Sequence, residues 1–108
     1  MELARVEGTV VSTVKADRLK GYKLLVVNLL KPDTTETGSH VVAVDTVGAG
    51  IGEVVIVVRG SSARQTANLA NVPTDTSIVA IVDSIEYKGK IVFRKTPLTE
   101  KVDEIRTN

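Results

Sequence analysis

The sequence is dominated by β-branched side chains, and this restricts what the chain can fold into. Of its 108 residues, 19 are Val, 7 are Ile and 12 are Thr, so 38 residues are β-branched. These side chains are stiff at χ1 and pack well on a pleated surface, so they favour strands over helices. A chain of this length corresponds to one domain with a core of its own. We therefore expect a single, mainly β domain.

The composition also argues against several kinds of functional site. The chain has no Cys, no Trp and a single His, so it offers no disulfide, no thiolate nucleophile and no multi-histidine metal site. Its apolar runs are shorter than the roughly 20 residues of a membrane span, and no signal peptide is visible. A net charge of +1 gives no global field for nucleic acid or anionic lipid. We expect a cytoplasmic protein without metal, cofactor, membrane or nucleic-acid partner.

Hydrophobic alternation places the first strand near the N-terminus. Across residues 3–14 the even positions are small or apolar and the odd positions are mainly polar, which is the two-residue period of a half-buried strand. Gly8 interrupts this pattern, and a glycine inside a strand indicates a bend or a close backbone approach. The same criteria predict five further strands, the last two joined as a hairpin: 22–30, 40–46, 53–59, 78–87 and 91–95.

The connections between these strands are mostly polar. Residues 15–21 form a charged turn, and residues 31–39 contain Pro and Gly and are predicted to be a loop. Residues 63–70 fit one short helix, with Ser61 or Ser62 as its N-cap. Short strands with a single short helix predict an all-β fold, a small five-stranded barrel of the oligonucleotide/oligosaccharide-binding type.

Some of the predicted strands are apolar on both faces, whereas only one face of a strand in an antiparallel barrel points inward. One short helix cannot cover the surplus, so we expect another copy of the chain to do so. The barrel domain is expected to span residues 1–96, followed by a polar tail at 97–108. The doubly apolar segments are 24–30, 54–58 and most of 78–82.

A glycine-rich segment follows the strand at 40–46, and it allows two interpretations. A dinucleotide-binding loop needs G-x-G-x-x-G at the start of a helix. Here the third glycine comes one residue early and a strand follows, so a corner between two strands is the better interpretation. The segment comprises Gly48, Ala49, Gly50, Ile51, Gly52 and Glu53.

Polar residues elsewhere suggest other sites, each with a structural alternative. Ser61 and Ser62 offer hydroxyls and backbone N–H groups at a possible helix start, which suit an anion, and Arg64 suits a carboxylate partner. An ordinary helix cap with an interface salt bridge is the better interpretation. Candidate partners of Arg64 are Asp45, Asp75 and Asp83, whose spacing requires no acid–base pair. His40 alone is expected at a strand edge.

Two basic clusters raise the possibility of a single-stranded nucleic-acid-binding barrel. Such barrels normally add aromatic stacking platforms, and the chain has only Tyr22, Tyr87 and Phe93. Solvated turns are the simpler explanation. The clusters are Lys15, Arg18, Lys20 and Lys23, and Lys88, Lys90, Arg94 and Lys95.

Several segments in order resemble the pentameric vertex proteins of bacterial microcompartment shells, the EutN/CcmL-like family. The central match is Asp-x-Val-Gly-Ala-Gly-x-Gly-Glu at 45–53, with Gly-Ser-Ser-Ala-Arg downstream at 60–64. Weaker matches lie at 6–11, 73–75 and 78–83. The resemblance covers residues 1 to about 86. The loop 31–39 and the tail after Pro97 do not contribute to it.

The resemblance implies a structural, non-enzymatic role. Vertex proteins of this family form five-fold rings of β-barrels that cap the vertices of an icosahedral shell, whose facets are hexameric shell proteins. A ring of five uses a head-to-tail interface that closes. The resemblance places Gly48–Glu53 at a subunit boundary or at the axis. It also places Ser61, Ser62 and Arg64 beside that boundary, with Asp45, Asp75 and Asp83 as candidate acceptors.

Overall fold

Seven strands and one 3-10 helix make up the structure, a computed structural model that describes residues 1–13, 15–60 and 75–95. The 3-10 helix occupies part of the predicted charged turn. The helix predicted at 63–70 and the tail lie outside the described residues. In chain order the elements are β1 (Glu2–Val10), the 3-10 helix (Asp17–Leu19), β2 (Lys23–Leu30), β3 (Glu36–Asp45), β4 (Val54–Arg59), β5 (Thr76–Ile81), β6 (Ser84–Tyr87) and β7 (Lys90–Arg94).

Five of these strands close into a barrel in the order β1-β2-β3-β5-β4, with β4 returning to β1. Four of the pairings are antiparallel, and β3 pairs with β5 in parallel. The predicted all-β class and closed five-stranded barrel are confirmed. Strands β6 and β7 form a separate two-stranded hairpin outside the barrel.

Strand β1 follows the predicted alternation up to a bulge. Ala4 and Val6 point inward and are buried. The register with β2 then shifts between Val6 and Gly8, so Glu7 is the extra residue of a β-bulge. Gly8 lies opposite Val26, whose Cβ would be 3.9 Å from a Cβ built on the glycine. The bend expected at Gly8 is therefore present.

The core is made of aliphatic side chains that point into the barrel from its five strands and from Ala49. A second, smaller cluster lies outside the barrel, where Leu19 and Tyr22 pack with Leu24 over Val44. The 3-10 segment thus covers one end of the outer face. The main core contains Ala4, Val6, Leu25, Val27, Leu29, Ala43, Ala49, Val55, Val57 and Ile78.

The doubly apolar strands are partly covered within the single chain, which the sequence analysis did not anticipate. Val54 and Val58 lie on the outer face of β4, yet both are buried. Leu30 on the outer face of β2 is buried as well. Val42 on β3 is different, because it remains 49% exposed. Only part of the surplus apolar surface in the described strands is therefore exposed.

Several of the predicted strand boundaries were wrong. Strand β1 ends at Val10 rather than at residue 14, because its pairing with β2 stops there. Strand β3 begins at Glu36, inside the predicted loop 31–39. The strand predicted at 78–87 is two strands, because the chain leaves the barrel between Ile81 and Ser84.

The hairpin turn is confirmed: Lys88 and Gly89 both have positive φ, which suits a two-residue turn between twisted strands. No helix within the described ranges is long and apolar enough to cross a membrane.

Candidate functional site

The glycine-rich segment is a corner between β3 and β4, and Asp45 holds its first half in place. Asp45 ends β3 and is only 8% exposed. Its Oδ1 accepts hydrogen bonds from the backbone N–H groups of Val47 and Gly48, both at 3.1 Å. Its Oδ2 accepts one from Ala49 at 3.0 Å. One carboxylate thus satisfies three consecutive donors of the chain reversal.

Glu53 holds the second half of the corner. Its Oε1 accepts a hydrogen bond from Gly50 N at 2.7 Å, and its Oε2 lies 2.7 Å from Lys95 Nζ, just beyond β7. The hydrogen bond to this carboxylate raises the pKa of Lys95, so the ammonium stays charged. Glu53 therefore ties the corner to the hairpin as well as closing its own loop.

The corner is also joined to the bulge of β1. Gly52 N donates to Val6 O at 2.8 Å, and Val6 N donates to Glu53 O at 2.9 Å. Two cations bond the corner carbonyls: Arg5 donates to Gly52 O and Lys23 donates to Ala49 O, each at 3.2 Å. The corner is a fixed part of the barrel wall because three strands hold it.

The conformation of the corner explains its residue types. Gly48 and Gly52 have φ values of 79° and 88°, in the left-handed region that glycine adopts without strain. Ala49 is fully buried and belongs to the main core. Val47 and Ile51 point outward, and Ile51 is 60% exposed. The corner therefore buries the small side chain of Ala49 in the core and exposes the larger apolar side chains of Val47 and Ile51.

Of the remaining predicted site residues, the structure describes Asp75 and Asp83. Asp75 lies beside the start of β5, where its carbonyl accepts a hydrogen bond from Gly60 N at 2.7 Å. Asp83 lies between β5 and β6, and its carbonyl accepts one from Lys95 N at 2.7 Å. Ser61, Ser62 and Arg64 lie outside the described residues, so their grouping with these aspartates remains a prediction.

One polar group on the outer barrel surface was missed by the sequence analysis. Glu7, the bulged residue of β1, accepts a hydrogen bond from Asn28 Nδ2 at 3.2 Å and lies 2.9 Å from His40 Nε2. Asn28 is 2% exposed, and its Oδ1 has no hydrogen-bond partner among the described residues. His40 lies within β3 rather than at a strand edge. In the sequence, only the glycine inside the first predicted strand, Gly8, points to this group.

The geometry at the corner does not suit the nucleotide interpretation. The segment leads into β4, whereas a dinucleotide loop must open a helix. The cavity between the corner and the hairpin holds about 80 Å³, well below the roughly 300–1,000 Å³ of small-molecule pockets. Within the described part of the chain, no three His, Cys, Asp or Glu residues could hold a metal ion. The fold and the corner therefore define a small closed β-barrel that exposes apolar side chains on its outer surface.

Comparisons with known proteins identify the family. The family model described as "Ethanolamine utilisation protein EutN/carboxysome" matches residues 1–83. The shell vertex protein GrpN of Rhodospirillum rubrum is 52% identical over 86 residues, which cover 80% of this chain and 97% of GrpN. The carboxysome shell vertex protein CcmL of Thermosynechococcus vestitus is 44% identical over 95 residues, covering 88% and 96%.

The fold comparison agrees with the sequence comparison. The solved structure of GrpN, described as a pentameric microcompartment shell protein, superposes with a TM-score of 0.74 and covers 81% of this chain and 99% of GrpN. The chain belongs to the EutN/CcmL family. The resemblance noted in the sequence is thereby confirmed, and the alternative of a nucleic-acid-binding barrel is not favoured.

Proposed function

We propose that this chain is a non-enzymatic shell protein that assembles into a homo-pentamer and caps the vertices of a bacterial microcompartment in the cytoplasm. The observation that carries the proposal is the match to GrpN, which extends over almost the whole barrel and comes from a pentameric protein. A sheet of hexagons cannot close without pentagons, so a pentamer would supply curvature where facets of hexameric shell proteins meet.

Features of the single chain support an assembling role. The corner Gly48–Glu53 is fixed by Asp45 and Glu53 and presents exposed apolar side chains. We assign this corner to the subunit boundary or the five-fold axis, where its glycines let several chains approach closely. The polar residues assigned to the same boundary are Asp45, Ser61, Ser62, Arg64, Asp75 and Asp83.

Native mass spectrometry at micromolar concentration tests the assembly state. We expect a species of five times the 11.5 kDa chain mass, and a stable monomer would refute the proposal. The vertex role needs a second test, in which the chain is co-expressed with a hexameric shell protein of the same microcompartment. Electron microscopy should show closed polyhedra with the chain and open sheets or tubes without it.

A further inference from the structure

Besides the corner, the described part of the chain exposes two apolar surfaces, which lie on opposite walls of the barrel. The first, which we call the strip, is the row of Gly8, Val26 and Val42 that crosses the outer face of β1, β2 and β3. The second, which we call the hairpin face, is the part of β6–β7 that carries Ile91. The barrel order places β2 and β3 away from β4, and β4 is the strand to which the hairpin is attached.

The strip is the open part of the outer sheet surface. Val26 and Val42 are directly paired across β2 and β3, and Val42 is 49% exposed. Gly8 adds no side chain beside Val26, so the row is a shallow depression rather than a ridge. On one side of the strip, the next row, formed by Leu24 and Val44, is covered by Leu19 and Tyr22 of the 3-10 segment. The Glu7–His40 pair borders the other side.

The hairpin that carries this face lies outside the barrel and depends on the barrel for its stability. A two-stranded hairpin is at best marginally stable in water. Ile85 and Phe93 form a pair on the side that faces the barrel, where Phe93 borders the cavity beside Val54. Ile91 lies on the opposite side, across from Glu86, and is 56% exposed. The hairpin also carries three exposed cations: Lys88, Lys90 and Arg94.

We infer that the occupant of the strip is the β6–β7 hairpin of the next copy of this chain, with Ile91 packed on Val26 and Val42. This inference rests on the proposed homo-pentamer. A cyclic ring uses a heterologous interface, in which two different surfaces of each subunit meet, and the strip and the hairpin face are two such surfaces. The partner is therefore a second copy of the chain rather than an unrelated protein.

The charges at the two surfaces fit the same arrangement. The hairpin from Ser84 to Arg94 carries three cations and one carboxylate, Glu86. The strip is bordered by Glu7, whose side chain is 35% exposed although it already bonds Asn28 and His40. An apolar contact flanked by opposite charges fixes both the register and the direction of approach. Lys88 or Lys90 is placed to meet Glu7 of the neighbouring subunit.

Disulfide trapping tests this contact cleanly, because the natural chain has no cysteine. The test protein carries Val42→Cys and Ile91→Cys in one chain. A disulfide needs Cα atoms within about 7 Å, so these two positions on opposite walls can be bridged only between subunits. Under mild oxidation we expect a non-reducing gel ladder from dimer to pentamer. The matched control carries Val11→Cys and Ile91→Cys, because Val11 is 90% exposed but lies outside the strip.

The contact is supported if the test pair gives at least tenfold more cross-linked product than the control pair. A second measurement uses the unmodified chain, in case the cysteine variants do not assemble: zero-length carbodiimide coupling should join Lys88 or Lys90 to Glu7 within a species of dimer mass or larger. An intact pentamer without either cross-link overturns this contact and leaves the proposed function standing. A monomeric natural chain refutes both.

Discussion

Replacing Asp45 by asparagine removes one acceptor from the corner while keeping the size of the side chain. An asparagine oxygen can still accept from Val47 and Gly48, but its Nδ2 would face Ala49 N, a second donor. The Ala49 donor is buried, and an unsatisfied buried N–H costs about 1–3 kcal/mol. The other two bonds also lose a charged acceptor. We expect Asp45→Asn to destabilise the barrel by about 2 kcal/mol.

Urea unfolding followed by far-UV circular dichroism measures this change. With a slope of about 1–3 kcal/mol per molar urea, the midpoint should fall by on the order of 1 M. Both proteins are compared at one concentration, because assembly makes apparent stability depend on it. Asp83→Asn is the control, since Asp83 is exposed and only its carbonyl bonds the described residues. A midpoint for Asp45→Asn no lower than that of Asp83→Asn would refute the capping role.

Three further substitutions test the corner and its surroundings. Gly50→Val should abolish the pentamer mass in native mass spectrometry while shifting the urea midpoint little, because Gly50 lacks a positive φ and the atom nearest to its built Cβ is the flexible Glu53 Oε1 at 3.4 Å. The control Gly50→Ala should keep the pentamer. A fully assembled Gly50→Val protein would show that the corner does not lie at the subunit boundary. Asn28→Leu should leave the free energy of unfolding unchanged or raise it by up to about 1 kcal/mol, because it removes a buried oxygen without a partner among the described residues; a clear loss of stability, comparable to that of Asn28→Ala, would contradict this. Lys95→Met should destabilise the protein at neutral pH. The difference in free energy of unfolding from the natural chain should shrink as the pH rises through the raised pKa of Lys95, because the ion pair stabilises only while the ammonium is charged. A difference in stability that persists at the alkaline end of the titration would show that packing, not charge, is responsible.

Much of the fold could be predicted from local pattern. The alternation at the start of β1 and the Lys-Gly turn after β6 depend on residues close in sequence, and both were located correctly, although β1 ends earlier than predicted. The start of β3 at Glu36 was missed because its first residues are polar and exposed, so no alternation is present. The break after Ile81 was missed because residues on both sides favour strands equally well. Only the end of pairing with β4 separates β5 from β6.

The corner between β3 and β4 was predictable in place but not in detail. The glycines marked the corner, and a strand after them argued against a nucleotide loop. The role of Asp45 as an acceptor for three N–H groups depends on how tightly the chain reverses, which the sequence alone does not give. The group of Glu7, Asn28 and His40 needed three strands in register with a bulge at Glu7. Such long-range registers are set by the closed barrel rather than by neighbouring residues.

Closure of the barrel has a consequence for the behaviour of the unassembled chain. The closed barrel leaves few open edges, and the unpaired backbone edges among the described strands include those of the hairpin, β6 and β7, and that of β3 before Val44. Open edges are where chains begin to aggregate by strand pairing, and charged side chains, lysines above all, suppress this. Lys88, Lys90 and Arg94 lie on or beside the hairpin edges. The cations that suit a neighbouring subunit would thus also keep newly made subunits from aggregating before they meet one.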